Sequence, residues 1–510
     1  MTSRNENRDD QRLAVQTAQG RVRGKVSNGA RSFYGVPYAA DPVGQLRWRP
    51  PQSHVSWEGV RDATQRGPAL PQRPSRLDGV MGNPTSAYDE VGALHLNVFA
   101  PLDAHNLPVL VWVHGGGWMS GSSAWPWYDG SLLAAEQNIV VVTISYRHGP
   151  LGYLYLGDRS DGLAPGNMGN LDQIAALSWV GENIAAFGGD PYAIAVGGQS
   201  AGAHSSVMLA ESPATRGLVK RLILESPAPY TLPRTAEQGL AVSRALLDEL
   251  QIGPHDVDRL ATIEIEPVLA AFEQIKRRQE PGDLENPFRM VDDGWLVSET
   301  LFESLNAHID TEVDVLLGTT QQELGCFLRQ APNFDAITAE RAKEIVDARF
   351  GEANAKILLD AYSSIVSEAA PFYAMEAVLG DAQFLVPVLD TAAASAARGR
   401  RTFLYQFNWQ NSVFGSCHCI ELPFLFGNYA DWRESPMLGP DPDASSGPLG
   451  KNFRSSIAEF VRTGSPGWAA YDTDGRPTMV FDTHSELITD PAEARRGAFA
   501  RAGVKLSPSR

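Results

Sequence analysis

Gly198-Gln199-Ser200-Ala201-Gly202 places a hydroxyl between two glycines, after the apolar run YAIAVGG (192–198) and before the helix-like run AHSSVMLA (203–210). A serine on such a strand-to-helix turn stands exposed at the head of the helix, and residues without Cβ let the chain turn that sharply. Its chemistry would be attack on a carbonyl carbon. The same five residues could form an inert turn in a chain rich in Gly and Ala; the strand before and helix after set this one apart. His114-Gly115-Gly116-Gly117 follows another strand-like run, LPVLVWV (107–113). Glycines there let backbone N–H groups approach a ligand closely, and fixed N–H dipoles in a dry site stabilise a developing oxyanion by several kcal/mol. Gly116, Gly117 and Ala201 are the candidate donors.

A serine nucleophile needs a histidine as base. Downstream of Ser200 the candidates are His204, His255, His308, His418 and His484. His204 lies one helical turn past Ser200 and is expected to pack locally. His418, in the loop after RTFLYQFNW (401–409), can reach back over a sheet edge, and His484 comes late in the chain. The acid that orients the imidazole belongs between serine and histidine in chain order. Glu323, in TTQQELG (319–325) just after EVDVLLG (312–318), competes there with Asp292 and Asp293, whose Asp-Asp-Gly run reads as a turn.

The elements that must carry these residues are visible as continuous apolar runs: LPVLVWVHG (107–115), NIVVVTISY (138–146), YAIAVGG (192–198), RLILESP (221–227), EVDVLLG and RTFLYQFNW. Runs that do not alternate, separated by helical stretches such as NLDQIAALSWVGENIAAF (170–187), predict a mostly parallel sheet covered by helices, the α/β class. Helical insertions are expected over about 230–310 and 330–400, clearest at 236–280 and 338–398, with PDPDASSGP (440–448) as a surface loop. The chain has 510 residues, 47 Gly and 34 Pro, a formal charge of −17 and 43% apolar residues. That composition excludes disorder and suits many loops on a rigid scaffold. The acidic balance removes the electrostatic attraction that nucleic acid or anionic lipid would require. No run approaching the length needed to cross a bilayer is expected, and the polar start, residues 1–12, reads as a mobile tail rather than a secretory signal. The three cysteines, Cys326, Cys417 and Cys419, are too few for a disulfide framework and suggest a reducing, cytoplasmic setting. Cys417-His418-Cys419 lacks the spacing and the second ligand pair of a zinc site, so no metal is expected.

In order along the chain, FYGVPYAADPVGQLRWRPP (33–51), LHLNVFAP (94–101), HGGGW (114–118), SYRHGPLGYL (145–154), GNMGNLDQIAALSWVGENIAAFGGDP (166–191) and GGQSAG (197–202) resemble the type B carboxylesterase/lipase family, the cholinesterase-like branch of α/β-hydrolases. LLGTTQQELGCF (316–327) looks like that family's acid loop and SCHCIELPFLFG (416–427) like its histidine loop. The resemblance spans about residues 13 to 485. It implies one α/β-hydrolase domain over 13–510 with a helical cap, a Ser200–His418–Glu323 triad, an oxyanion hole at Gly116, Gly117 and Ala201, and no cofactor. Ser226, after RLILE, matches a buried serine near the family's triad. The implied partner is a small-molecule ester, hydrolysed through an acyl-enzyme, with an amide or carbamate on the same triad as the alternative; the chain would act as monomer or homodimer. A non-catalytic relative would be expected to lack the serine. Ala93 stands where secreted members carry a disulfide cysteine, and no Trp occurs in 67–90, where choline esterases place one against a quaternary ammonium. The loop around His418 is similar to that of bacterial carbamate and anilide hydrolases in the family. Trp118 and Met119 are expected either to line the acyl side of the pocket or, for Trp118, to pack beneath the loop.

Overall fold

The computed structural model describes residues 13–157, 162–253, 255–278, 286–297, 301–331, 333–366, 370–441 and 443–506. The tail expected over residues 1–12 lies outside them. The chain forms two compact units, one built from Met1–Ser75, Pro84–Lys220 and Pro233–Leu301, the other from Arg76–Asn83, Arg221–Leu232 and Phe302–Arg510.

In the first unit a small sheet joins β1 (Ala14–Gln16), β2 (Arg21–Arg23) and β5 (Val60–Asp62). Its larger sheet runs in the order β9 (Gly189–Gln199), β7 (Leu107–Val113), β8 (Val140–Ile144), β6 (His95–Pro101), β4 (Ala30–Pro37) and β3 (Lys25–Ser27). The pairs β9–β7 and β7–β8 are parallel, while β8–β6, β6–β4 and β4–β3 are antiparallel. β8 is buried along its whole length and β7 from Val109 onward, as continuous apolar runs between two covered faces require. Helices Met168–Asn183, Ala201–Glu211, Ala236–Glu249 and Ile265–Arg277 flank it. The third begins on a capping box: the Thr235 hydroxyl accepts from the Gln238 amide and the Gln238 side chain from the Thr235 amide.

In the second unit β10 (Val219–Glu225, its first two residues counted with the first unit), β11 (Asp314–Thr320), β12 (Thr402–Phe407) and β13 (Pro477–Phe481) pair in parallel, and β14 (Glu486–Thr489) closes the edge antiparallel to β13. The helical stretch expected at 338–398 resolves into Ala339–Phe350, Glu352–Tyr362, Pro371–Gly380 and Val386–Ala397, the last two joined by a π turn at Asp381–Leu385. One expectation is corrected here. The helical run Pro371–Ala397 is long and apolar enough to cross a bilayer by length and composition, but its most apolar window is 78% buried inside the protein. Phe372, Met375, Val378 and Val386 pack there with Phe334, Val346, Leu358 and Tyr362, so its apolarity is that of a core helix. The loop expected at 440–448 holds a short 3₁₀ turn at Ala444–Ser446 and the first residue of helix Pro448–Thr463.

Within the first unit, Arg147 and Asp172 form a fully buried bidentate pair, Nε to Oδ2 at 2.8 Å and Nη2 to Oδ1 at 2.7 Å, and the Arg147 amide donates to Oδ2 at 3.0 Å. This ties the SYRHGP segment after β8 to the first turns of helix Met168–Asn183. Asp172→Ala is expected to cost about 3–5 kcal/mol, because it strands a buried guanidinium. Urea denaturation of the variant against the parent chain checks this; a loss below about 1 kcal/mol would show that water reaches the arginine.

Candidate active site

The first unit builds the serine and the glycine-rich loop on one backbone junction. Register pairs Val113 of β7 with Gly198 of β9, so both strands end side by side. A Cβ on Gly198 would lie 2.5 Å from the Gly202 carbonyl and 2.6 Å from the Val113 carbonyl oxygen, and one on Gly202 would lie 2.1 Å from that same oxygen. Only glycine fits at either position. The turn they permit holds Ser200 at φ +58, ψ −123, a conformation a serine occupies only under constraint, at a cost of order 1–3 kcal/mol. Ser200 is half-buried, and Ala201 opens the helix behind it with an amide that has no intrahelical acceptor.

The loop after β7 starts against this turn: a Cβ on Gly115 would sit 2.7 Å from the Gln199 carbonyl oxygen. Each peptide that carries a candidate oxyanion donor is held through its carbonyl. His114 Nδ1–H donates to the Gly115 carbonyl at 2.8 Å, which orients the Gly116 amide. The Met119 and Ser120 amides donate to the Gly116 carbonyl at 3.1 and 3.2 Å, which orients the Gly117 amide. Neither the Gly116 nor the Gly117 N–H donates to any group among the described residues. Gly116 is exposed and Gly117 half-buried, with φ of +109 and +62. His114 stacks on Tyr146 at 4.3 Å, and burial depresses its pKa to about 4, so it stays neutral and keeps a single donor for this bond.

Trp118 is buried and meets His204 edge to face at 5.4 Å, so its indole packs beneath the loop, while Met119 is half-buried. Burial first, and then the Arg289 charge, push the His204 pKa down to about 3, which makes it a packing ring and a poor base.

The second unit pairs the predicted acid and histidine. His418 Nδ1 lies 2.6 Å from Glu323 Oε2, and Glu323 Oε1 accepts from the Thr320 amide at 2.8 Å. Both side chains are buried, and the imidazole packs against the rings of Phe327 and Phe384, with centroids 5.5 and 5.1 Å away. Their two loops are joined reciprocally. The Gln322 amide donates to the Ser416 carbonyl at 2.9 Å, and the Ser416 amide to Gln322 Oε1 at 2.7 Å. The Ser416 hydroxyl donates to the end of β12 at Phe407, 2.6 Å away, so the histidine loop hangs from a strand end. His255, His308 and His484 are exposed and lie elsewhere. Asp292 and Asp293 are turn formers, as expected: Asp293 Oδ1 accepts the amides of Trp295, Leu296 and Val297, and Asp292 Oδ1 that of Gly294. Among the described residues no cluster of three or more His, Cys, Asp or Glu could hold a metal ion, and none of the three cysteines is in a disulfide.

Behind the histidine the structure places one residue that the sequence pointed to and two carboxyls that it did not. Ser226, predicted as a support residue, is buried at φ +45, donates its amide to the Gly318 carbonyl at 2.8 Å and its hydroxyl to Glu421 Oε1 at 3.5 Å. Glu421 and Glu225 are fully buried carboxyls with Tyr405 beside them. Burial, and then the Glu323 charge, push Glu421 up to about 8; burial and Glu421 hold Glu225 well above the carboxylate range. A carboxyl three residues past a histidine was the available signal, but its partner Glu225 is remote in sequence.

The comparisons with known proteins follow the same outline. A family model described as "Carboxylesterase family" matches residues 11–494. The para-nitrobenzyl esterase of Bacillus subtilis is 34% identical over 508 residues, covering 97% of this chain and 99% of that protein. The phenmedipham hydrolase of Pseudarthrobacter oxydans is 34% identical over 500 residues, covering 94% and 97%. A solved PNB esterase structure superposes with a TM-score of 0.84 at 32% identity, over 98% of this chain and 100% of that one, which makes the architecture an α/β-hydrolase fold.

A carboxyl that keeps its proton to about pH 8 when folded, and releases it near 4.3 when unfolded, makes the unfolded state the poorer proton binder between those values. Stability therefore falls as pH rises through that window. Glu421→Gln is expected to flatten the decline of Tm between about pH 5 and 8 relative to the parent chain. Parallel thermal melts test it, and an unchanged slope would show that Glu421 is ionised in the folded protein.

Proposed function

The chain belongs to the carboxylesterase family and is a carboxylic ester hydrolase, and from that premise we propose that it hydrolyses aryl or short- to medium-chain esters through a Ser200–His418–Glu323 triad. Ser200 Oγ attacks the ester carbonyl while His418 takes its proton; the Gly116, Gly117 and Ala201 amides receive the oxyanion, and Glu323 holds the imidazole and balances its charge. The alcohol leaves with the proton from His418, and water then repeats the attack on the acyl-enzyme. The observation that carries this reading is the strained Ser200 on an all-glycine junction, next to two amides with no acceptor of their own. The His418–Glu323 bond at 2.6 Å supports the assignment of base and acid. Met119 is read as part of the acyl-side wall with Trp118 packed beneath the loop, and a reducing, cytoplasmic setting suits three buried thiols and Ala93.

A second reading is favoured by the near full-length similarity to a phenmedipham hydrolase: the same triad would open a carbamate or an anilide, a poorer leaving group that His418 must protonate. Activity on a p-nitrophenyl ester, an anilide and an N-phenyl carbamate ranks the two.

Ser200→Ala is expected to lower p-nitrophenyl ester turnover by at least about 10⁴-fold with an unchanged circular dichroism spectrum. Parental rates would remove the nucleophile assignment. Glu323→Gln is expected to lower kcat by about 10²- to 10⁴-fold; undiminished activity would move the acid's role to Asp292 or Asp293.

A further inference from the structure

The peptide between Ser120 and Gly121 lies against the Gly116 amide's own support. A Cβ on Gly116 would fall 2.0 Å from the Ser120 carbonyl oxygen, so that carbonyl rests on the Gly116 Cα. A Cβ on Gly121 would fall 2.3 Å from His114 Nδ1 and 2.7 Å from the Gly115 carbonyl oxygen, the two ends of the hydrogen bond that orients the Gly116 amide. Whatever holds the Ser120–Gly121 peptide therefore holds the loop from its return side. Gln72, 49 positions upstream, does so with both ends of its carboxamide. The Gly121 amide donates to Oε1 at 2.8 Å, and Nε2 donates to the Gly121 carbonyl at 3.2 Å and to the Leu70 carbonyl at 3.1 Å. With its oxygen committed to the Gly121 amide, the carboxamide turns Nε2 toward His148 Nε2, 3.4 Å away. His148 is buried, and burial first, then His114, push its pKa down to about 3, so the ring is neutral and its Nε2 is open to accept. The Gly117 carbonyl is held separately, by Asn286 Nδ2 from 169 positions downstream.

We propose that Gln72 is a positioning residue for the oxyanion hole, acting through the Ser120–Gly121 peptide to hold the Gly116 amide where the substrate's carbonyl oxygen gains charge. The proposal rests on the reading of Ser200 as nucleophile and Gly116 as oxyanion donor given above. Gln72 itself touches no reacting atom. Its effect follows from the way donors work in a transition state: an N–H fixed in direction before charge develops stabilises that charge without reorganising, and one free to swing does not. The glycines that open the loop to a ligand also leave it free to bend, so its direction has to come from outside. His114 supplies it from within the loop, and Gln72 from a separate stretch of chain that clamps both peptides flanking Gly121. Freed from that clamp, Gly121 no longer presses the His114–Gly115 bond into place, and the Gly116 amide loses its aim while Ser200, on its own glycine junction, keeps its position.

The test compares p-nitrophenyl acetate with O-(p-nitrophenyl) thionoacetate, in which sulfur replaces the carbonyl oxygen. A thiocarbonyl sulfur is larger and a weak acceptor, so donors placed for an oxyanion help its transition state little. The second-order rate constant for p-nitrophenolate release, which reports attack by Ser200, is measured on the full chain, on Gln72→Met and on Ser200→Ala. Gln72→Met keeps the length of the side chain and removes the carboxamide hydrogen bonds. It is expected to lower the ester rate about tenfold or more and the thionoester rate less than about twofold, so the ratio of the two falls at least about fivefold. Equal losses on the two substrates, or no loss on the ester, would overturn the proposal, since a generally loosened site slows both alike. If Gln72→Met does not fold, Gln72→Glu, which keeps an acceptor for the Gly121 amide and removes the donor, is read by the same ratio. A parent chain that opens the thionoester as fast as the ester would instead mark failure of the oxyanion-hole reading, and release that persists in Ser200→Ala failure of the nucleophile assignment.

Discussion

The tightest constraint in the molecule is the approach of two backbones at the head of β7 and β9. Gly198 and Gly202 press against the Val113 carbonyl at distances that admit no Cβ, and Gly115 presses against Gln199 in return. The elbow and the glycine loop are thus one junction rather than two features that happen to be neighbours. Parallel pairing of Val113 with Gly198 brings the strands to the same level, and the strained turn at Ser200 follows from a strand that must feed straight into a helix without leaving that contact. The strain is held by the buried sheet behind it, where β7 and β8 exclude water over nearly their whole length.

Around that junction the chain spends its hydrogen bonds on carbonyls. The Gly115, Gly116 and Gly117 carbonyls are each taken by a different donor, His114, the Met119–Ser120 turn and Asn286, and the amides on the other side of those peptides are left open. Orienting a donor through its own carbonyl costs nothing when charge develops, which is the condition for electrostatic stabilisation of a transition state. Two neutral buried histidines serve the same end: His114 as a fixed donor and His204 as a ring under Trp118.

The second unit solves a different problem, presenting a titratable ring from a loop without letting the loop wander. Gln322 and Ser416 lock the acid and histidine loops to each other and to the end of β12, and Phe327 and Phe384 pack against the imidazole. Burial and the neighbouring acids, Glu323 for Glu421 and Glu421 for Glu225, hold the two carboxyls behind it toward the neutral form.

Much of this was legible from sequence because it depends on local rules. The Gly-x-Ser-x-Gly turn, the glycine triplet, the unbroken apolar strands and the Asp-Asp-Gly turn each state a backbone requirement that neighbouring residues alone satisfy, and Glu323 and His418 sit where strand ends put them. The antiparallel strands at the edge of the first sheet were not assigned, because HLNVFAP reads like any apolar run until its partner is known. The apolar character of Pro371–Ala397 was likewise understated: π turn, buried acids and core packing make it one continuous helical run. Asn286, Gln322 and Glu225 carried no signal, and the spacing of Glu421 from His418 did not reveal its partner, since a polar residue shows its purpose only through the atom it meets, and those atoms are distant in the chain. The sequence by itself determined the chemistry, because sharp turns and open amides are written in glycines and in the order of strand and helix. Only the tertiary structure decided which polar side chains aim and tune that chemistry, because hydrogen bonding and desolvation depend on through-space neighbours that no local spacing encodes.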